Sequence, residues 1–271
     1  MKAITGIGIA VGIVGILASA VMEGTSPASF INIPALLLIS AGTLGAVSAS
    51  TTFSSFMLMP KLAILAAKGQ EFDPRASITQ MVGLAEKARR NGLLALEEDV
   101  SQIDDAYTKK GLQLVVDGTD SDLVRAILQS ELDGMAQRHH HNATLFAQAG
   151  GFAPTIGIIG TVMGLVHVLQ NLSAPSTLGP AISGAFIATL YGVGSANLIL
   201  LPIGNKLKEL SSEEMNHRYM LLEAILSLQA GDNPRMLAEK LETYISPSER
   251  GKGEAERAEA PAAVAEERQA A

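Results

Sequence analysis

The residues best suited to chemistry inside a membrane are two threonines and two prolines in an uncharged stretch. Residues 139–205 contain no Asp, Glu, Lys or Arg. Pro154 and Thr161 lie in the first apolar segment of this stretch, and Thr189 and Pro202 lie in or at the end of the second. A proline leaves a backbone carbonyl without its helical donor, so water or an ion can use that oxygen. We therefore predict that these four residues line a polar pathway.

Small residues accompany each threonine at helical spacing. They recur at Gly157 and Gly164 in the first segment, and at Ala185, Gly192 and Ala196 in the second. Such faces equally suit close packing of two helices, with each threonine hydroxyl bonded back to its own turn. Packing is the simpler explanation for either threonine alone. Two such faces, each beside a proline, favour the polar pathway.

The apolar segments contain no carboxylate. A side chain that carries a proton across a bilayer must be ionisable at depth, where such groups are costly and therefore diagnostic. An autonomous proton pump built on Asp or Glu relays is thus excluded. Either the chain conducts no ion, or another subunit supplies the carboxylate.

The histidines and the missing cysteines limit other kinds of site. His167 is interpreted as a hydrogen-bonded residue near the external end of its helix, rather than as a proton relay. His139, His140 and His141 are adjacent and would point in different directions on a helix, so we predict no metal site there. The chain has no cysteine, which excludes disulfides and thiolate metal sites. We expect no cofactor.

Four apolar segments are candidates to cross the membrane, which takes about 20 helical residues. They cover 3–22, 34–59, 149–172 and 180–201, with Pro60 as the expected stop of the second. The first segment could alternatively be read as a signal peptide, but its continuous apolar length and glycine spacing favour a retained helix.

The charged residues occur in blocks and indicate the orientation of the spans. Lys and Arg occur at Lys2, in residues 61–138 and after residue 205, and none lies in 23–33 or 173–179. The positive-inside rule then places both termini and the middle region in the cytoplasm, with two very short external turns. The net charge of −7 and the absence of a basic run argue against nucleic acid as a partner.

Helical periodicity extends into the charged regions. We predict helices over 75–91 and 93–110, and one long helix from Ser121, capped by Asp120 or Ser121, that runs unbroken into the third span. The fourth span continues as a charged helix to about residue 229. A short helix follows, with Asn233 as its cap and Pro234 at its first position.

The fold class expected from these patterns is all-α. The prediction is an integral membrane protein with four transmembrane helices, a helical cytoplasmic domain between helices 2 and 3, and long helices 3 and 4 extending into the cytoplasm. We divide the chain into spans 1 and 2 (1–60), a cytoplasmic domain (61–138), the hairpin of spans 3 and 4 (139–205), cytoplasmic C-terminal helices (206–246) and a disordered tail (247–271).

A cluster of opposite charges lies in the middle region. Arg89 and Arg90 end one predicted helix, an Asn-Gly pair follows, and Glu97 and Glu98 open the next. A solvated helical hairpin would show the same pattern, and exposed ion pairs contribute little to stability. The alternative is a docking face for a protein partner, in which complementary charges set the orientation.

Several segments together resemble the MotA family of flagellar stator subunits, within the group that also contains the TolQ and ExbB proteins. The resemblance covers nearly all of residues 1–245 and is carried by GGFAPTIGIIGTVMGLVHVLQNL, GAFIATLYGVGSANLILLPIGNKL, EKARRNGLLALEED and GDNPRMLAEKL. Four spans, with a cytoplasmic region after the second, resemble MotA or its sodium-driven relative PomA more than the three-span TolQ and ExbB proteins.

The resemblance implies a function and a set of partners. The chain would be the A subunit of a stator, a homopentamer around two copies of a MotB-like B subunit with a membrane Asp and a peptidoglycan-binding domain. Ion flux at that Asp would drive torque on the switch-complex protein of the rotor. The alternatives are a TolQ/ExbB-like energiser of outer-membrane processes and a membrane scaffold that conducts nothing. The sequence contains no recognisable nucleophile–base pair and no phosphate-binding loop, so we do not expect an enzyme.

The resemblance also implies roles for individual residues. The torque-transmitting charges of the family match Arg89, Arg90, Glu97 and Glu98. Its membrane prolines match Pro154 and Pro202, and its ion-path threonines match Thr161 and Thr189. The sodium-type pattern has a second Thr directly before the fourth-span Thr, and this chain has Ala188 there, which favours protons.

Overall fold

The structure is a computed structural model that describes residues 4–70 and 72–247, and within them all regular structure is helical. Two short 3-10 turns cover Pro27–Phe30 and Leu93–Leu96, and a π-helical segment covers Ala196–Leu200. The α-helices are α1 Ile4–Met22, α2 Ile33–Ser50, α3 Phe53–Lys68, α4 Pro74–Asn91, α5 Glu97–Ser101, α6 Ala106–Val116, α7 Ser121–Gln170, α8 Pro175–Ser195, α9 Leu201–Ala230 and α10 Pro234–Glu242.

Four helical stretches are long and apolar enough to cross a membrane. They are Thr5–Met22 in α1, Ile33–Ser50, the 50-residue α7, and the continuous run Pro175–Ala230 formed by α8, the π segment and α9. The predicted all-α class with four potential membrane helices is therefore confirmed.

The predicted end of the second span was wrong. The chain breaks after Ser50 rather than at Pro60, and Pro60 lies inside α3. Hydroxyl groups explain the break, since such side chains compete for backbone hydrogen bonds at a helix end. Ser50 Oγ donates to the carbonyl of Ala46 at 2.6 Å, and Thr52 caps α3 by accepting from the N–H of Ser55 at 3.4 Å.

The single helix predicted over 93–110 was also wrong. Gly92 adopts a φ of 82° and ends α4, and the chain then forms a 3-10 turn, the short α5 and, separately, α6. Asp105 starts α6 as its N-cap, because its carboxylate accepts hydrogen bonds from the N–H of Thr108 at 2.8 Å and from the Thr108 hydroxyl at 2.6 Å.

The expected long helix is confirmed. Asp120 caps α7 by accepting from the N–H groups of Asp122 and Leu123, at 3.0 and 3.4 Å. The helix then continues past Gly150 and Pro154 to Gln170.

The other predicted boundaries vary. The fourth span begins at Pro175, so Pro180 lies inside α8 rather than at its start. Asn233 caps α10 by accepting from the N–H of Arg235 at 3.0 Å. The tail predicted to be disordered lies outside the described residues from 248 onward.

The described residues divide into two compact units. The first combines 4–70 with 136–212 and contains the apolar spans; the second combines 72–135 with 213–247. The second unit has the larger buried core, whose fully buried side chains include Met81, Leu96, Leu112, Leu128 and Ile225.

Candidate functional site

The site in the first unit is built on a close antiparallel pairing of α7 with α8 and α9. Its contacts follow one register, from Gly164 against Ala185, through Gly157 against Thr189, to Gly204 against Phe146. A Cβ at Gly157 would lie 3.1 Å from the carbonyl oxygen of Ala188, so the helices approach almost backbone to backbone. The small-residue faces identified in the sequence therefore do pack against each other.

Thr161 and Thr189 meet inside this packed face. Their hydroxyl oxygens are in hydrogen-bond contact with each other, and both side chains are half-buried. Thr161 Oγ1 also lies 3.1 Å from the carbonyl oxygen of Ala185 and 3.2 Å from that of Gly157. Thr189 Oγ1 lies 3.4 Å from the same Gly157 oxygen.

This arrangement has more acceptors than donors. The two hydroxyls supply only two O–H donors. The acceptors within reach are the two hydroxyl oxygens themselves and the two carbonyl oxygens. The surplus lone pairs suit a cation or a protonated water. Packing and a polar site, which the sequence left as alternatives, therefore coexist in the same face.

The two prolines lie on opposite members of this helix pair. Pro154 is in α7 and Pro202 is in α9, and a Cβ at Gly150 would lie 2.6 Å from Leu201 Cδ2. Because proline has no N–H, a proline in a regular α-helix removes the donor for the carbonyl four residues before it. For Pro154 that carbonyl belongs to Gly150 itself.

The π-helical segment before Pro202 leaves a second carbonyl without a backbone donor. The N–H of Leu201 donates to Ala196 O, five residues back, rather than to Asn197 O. The next residue, Pro202, has no N–H to give. The carbonyl of Asn197 thus receives neither bond. The only signal of this feature in the sequence is Pro202, since π-bulges accommodate such interruptions and are frequent at functional sites.

The charged candidates lie on one turn of the second unit. Arg89 and Arg90 end α4, Glu97 and Glu98 begin α5, and all four are exposed. Basic groups at a helix C-terminus and acidic groups at an N-terminus complement the helix dipoles.

Their neighbours hold this turn together. Lys87 and Asp99 bridge it with an ion pair of 2.5 Å, whereas Arg90 approaches Glu86 only to 4.0 Å. Within the part of the chain that the structure describes, Arg89, Glu97 and Glu98 form no ion pair. The turn therefore presents basic and acidic groups to solvent.

A partly buried ion cluster in the second unit has no signal in the local sequence pattern. The guanidinium of Arg218 contacts the carboxylates of Asp105 and Glu214 and lies 5.5 Å above the ring of Tyr107. Burial alone would raise the pKa of Asp105, but hydrogen bonds from Arg218 and Thr108, with the Arg218 charge, lower it below its ordinary value of 3.8. The cluster fastens α6 to α9.

The histidines have hydrogen-bond partners of their own. His167 accepts a bond at its carbonyl from Asn171 Nδ2 at 2.8 Å. His139 and His141 lie 3.2 Å from the hydroxyls of Ser211 and Ser55. No group of three or more metal-ligating side chains occurs among the described residues.

Comparison with known proteins identifies the family. A sequence model of the MotA/TolQ/ExbB proton channel family matches residues 99–220. The chain is 37% identical to Motility protein A of Borreliella burgdorferi, over 90% of this chain and 94% of that protein. It is 36% identical to Motility protein A of Bacillus subtilis, over 93% and 96%.

A solved structure agrees with these relatives. The flagellar MotAB stator complex from Bacillus subtilis contains a chain that is 36% identical and superposes with a TM-score of 0.86, over 91% of this chain and 97% of that one. The chain therefore belongs to the MotA/TolQ/ExbB proton channel family.

Proposed function

We propose that this chain is the A subunit of a bacterial flagellar stator, which forms an ion channel with a B subunit and uses the ion flux to drive the rotor. The observation that carries the proposal is the hydroxyl pair of Thr161 and Thr189, which forms an acceptor-rich site on a membrane hairpin that contains no acid. The family is one of proton channels, so the chain is not an enzyme.

The missing acid defines the partner. A MotB-like B subunit brings an Asp in its single span, and its peptidoglycan-binding domain anchors the unit to the cell wall. Five copies of this chain surround two copies of that subunit, with α7 and α8 facing it. Support comes from the uncharged hairpin, which has polar acceptors and no titratable carboxylate.

The ion pathway uses the hydroxyl pair and the carbonyl oxygens freed at Pro154 and Pro202. Protons are the favoured ion. The residue directly before Thr189 is Ala188, which is only 3% exposed and offers no second hydroxyl for binding a dehydrated sodium ion. One charge crossing 100 mV supplies about 2.3 kcal/mol, enough to bias a step between two subunit arrangements.

Torque reaches the rotor through the exposed charged turn. Arg89 and Arg90 face acidic groups of the switch-complex protein, and Glu97 and Glu98 face basic groups. The membrane is the inner membrane, both termini are cytoplasmic, and residues 61–138 and 206–246 lie in the cytoplasm. Support comes from the distribution of Lys and Arg, which avoids the two short turns between the apolar helices.

Deleting the gene tests the stator function. We expect paralysed cells whose flagella are still assembled, and recovery of swimming when the gene is restored on a plasmid. Normal swimming after deletion would contradict the proposal. A defect in outer-membrane import with normal swimming would instead favour the TolQ/ExbB-like energiser, which shares the matched family region.

A further inference from the structure

The turn that presents the charges also presents an apolar side chain. Leu94 is 74% exposed, more than any other large apolar side chain among the described residues of the second unit. Single exposed leucines are ordinary on protein surfaces. Leu94 differs from such leucines because it lies in the charged turn and because the backbone around it is held by hydrogen bonds.

The backbone around Leu94 is held from both sides. Before it, the N–H of Gly92 bonds to Ala88 O at 2.8 Å, and Gly92 takes a φ of 82° that favours glycine. After it, the N–H of Glu97 bonds to the carbonyl of Leu94 itself. The 2.5 Å ion pair of Lys87 with Asp99 closes the turn across its base.

The packing of the turn leaves Leu94 facing outward. In a 3-10 helix, residues three apart share a face. Leu93 packs against the buried core and Leu96 is fully buried, so both occupy the inner face. Leu94 is thereby excluded from the core, and holding it outward costs little additional conformational entropy when a partner binds.

Leu94 also lies between charges of opposite sign along the chain. Arg89 and Arg90 precede it and Glu97 and Glu98 follow it, and all four are exposed. Interfaces commonly place a desolvated apolar anchor within a rim of charged groups that exclude water. The charges select the partner and its orientation, and the anchor limits the rate of dissociation.

We propose that Leu94 is the apolar anchor of the rotor contact. Its partner is a surface of the rotor protein with a shallow apolar hollow between an acidic group, which meets the arginines, and a basic group, which meets the glutamates. This inference rests on the proposed stator function, and it adds the chemistry of the partner surface and the residue that determines how long the contact lasts.

The test measures how long fluorescently tagged stator units stay at motors, by recovery after photobleaching in living cells. Leu94→Gln is expected to shorten the residence time by about tenfold or more, as loss of an interface hot spot does. Leu94→Met keeps the apolar volume and is expected to leave residence near wild type. Membrane yield with the B subunit is expected to be unchanged in each variant.

Two further variants make each outcome decisive. Leu123→Gln alters another exposed leucine of the same unit, 53% exposed, and is expected to have no effect; an equal loss there would overturn the inference. If Arg90→Glu shortens residence and Leu94→Gln does not, the anchor is wrong and the stator function stands. If neither variant changes residence, the docking role of the charged turn fails as well.

Discussion

Thr161 and Thr189 differ from an ordinary threonine of a membrane helix in what their hydroxyls reach. A lone threonine satisfies its O–H on the carbonyl of its own preceding turn. Here Thr161 also contacts Ala185 O, on the neighbouring helix, and the hydroxyl of Thr189. The sequence placed both residues at positions able to face each other. Only the packed register of α7 against α8 brought their oxygens together.

Substituting Thr189 tests the polar role of this pair. Thr189→Val keeps the shape and removes the hydroxyl, so we expect ion flux to fall by at least about tenfold, which corresponds to about 1.4 kcal/mol on the barrier. Thr189→Ser keeps the hydroxyl and is expected to conduct. Flux is measured as cytoplasmic acidification in cells that also express the B subunit. Equal ion flux in the Val variant and the wild type would show that the threonine pair serves only helix packing and not ion conduction.

Asp105 provides a pH-dependent contribution to the stability of the second unit. Its pKa is lower in the folded chain than the ordinary value of 3.8. Such a group stabilises the fold above its unfolded pKa and loses that contribution as the pH falls through its folded pKa. We therefore expect wild-type stability to decline on acidification from about pH 5 to pH 2.

Asp105→Asn is the matching variant. We expect this variant to be less stable at neutral pH by about 1–3 kcal/mol, at the lower end of that range because the carboxylate is 37% exposed. Its stability is also expected to fall less steeply than that of the wild type as the pH is lowered. Thermal unfolding of the purified protein against pH provides the comparison. If the stability of the variant fell as steeply with decreasing pH as that of the wild type, the decline would come from other carboxylates.

At the scale of elements, glycines determine how closely α7 and α8 approach. A Cβ at Gly192 would lie 2.5 Å from the carbonyl oxygen of Ala153, which is backbone and cannot rotate away. At Gly194, two residues along the same helix, a Cβ would meet nothing within 4 Å. Helical spacing places Gly192 on the face of Thr189 and Gly194 off it, and the structure shows how closely that face approaches α7.

This contrast predicts opposite effects of the same substitution. Gly192→Ala is expected to destabilise the protein by about 1–3 kcal/mol, since overpacking at backbone contact outweighs the gain in helix propensity. Gly194→Ala is expected to be neutral or to stabilise by up to about 1 kcal/mol, because alanine favours the helix. Thermal stability in detergent measures both. A Gly192→Ala protein as stable as Gly194→Ala would rule out the close approach.

The helix boundaries show where local patterns were sufficient. Asp120 and Asn233 were recognisable as caps because a cap needs only its own side chain and the next few N–H groups. The local pattern predicts a helix stop at Pro60, yet Pro60 lies inside α3. The break occurred at Ser50 and Thr52 instead, where hydroxyls compete with backbone acceptors. Whether a helix tolerates a proline depends on the tertiary contacts around that proline, and a local sequence pattern does not contain those contacts.

At the scale of the whole molecule, the segregation of charge predicts the orientation of the spans. Every Lys and Arg lies outside the two short turns between apolar helices. This arrangement follows from the cost of moving cationic loops across the membrane, and it needs no tertiary information.

Cysteine labelling tests that orientation, because the natural chain has no cysteine. We expect Ser176→Cys to react with a membrane-impermeant maleimide added to intact spheroplasts, and Gln102→Cys to react only after permeabilisation. Both positions are exposed in the structure, so neither is shielded by the fold of the chain. The reverse pattern of labelling would invert the topology.

The sequence by itself determined the apolar helices, and it predicts their orientation and the need for an external carboxylate. These properties depend on hydrophobic length, on charge placement and on the absence of a residue type, all of which are local or additive along the chain. Tertiary structure decided which small residues touch and which glycine is essential. It also placed the Thr161 hydroxyl on that of Thr189 and left Leu94 facing outward. Such contacts depend on the register between distant segments, which packing sets and no single segment contains.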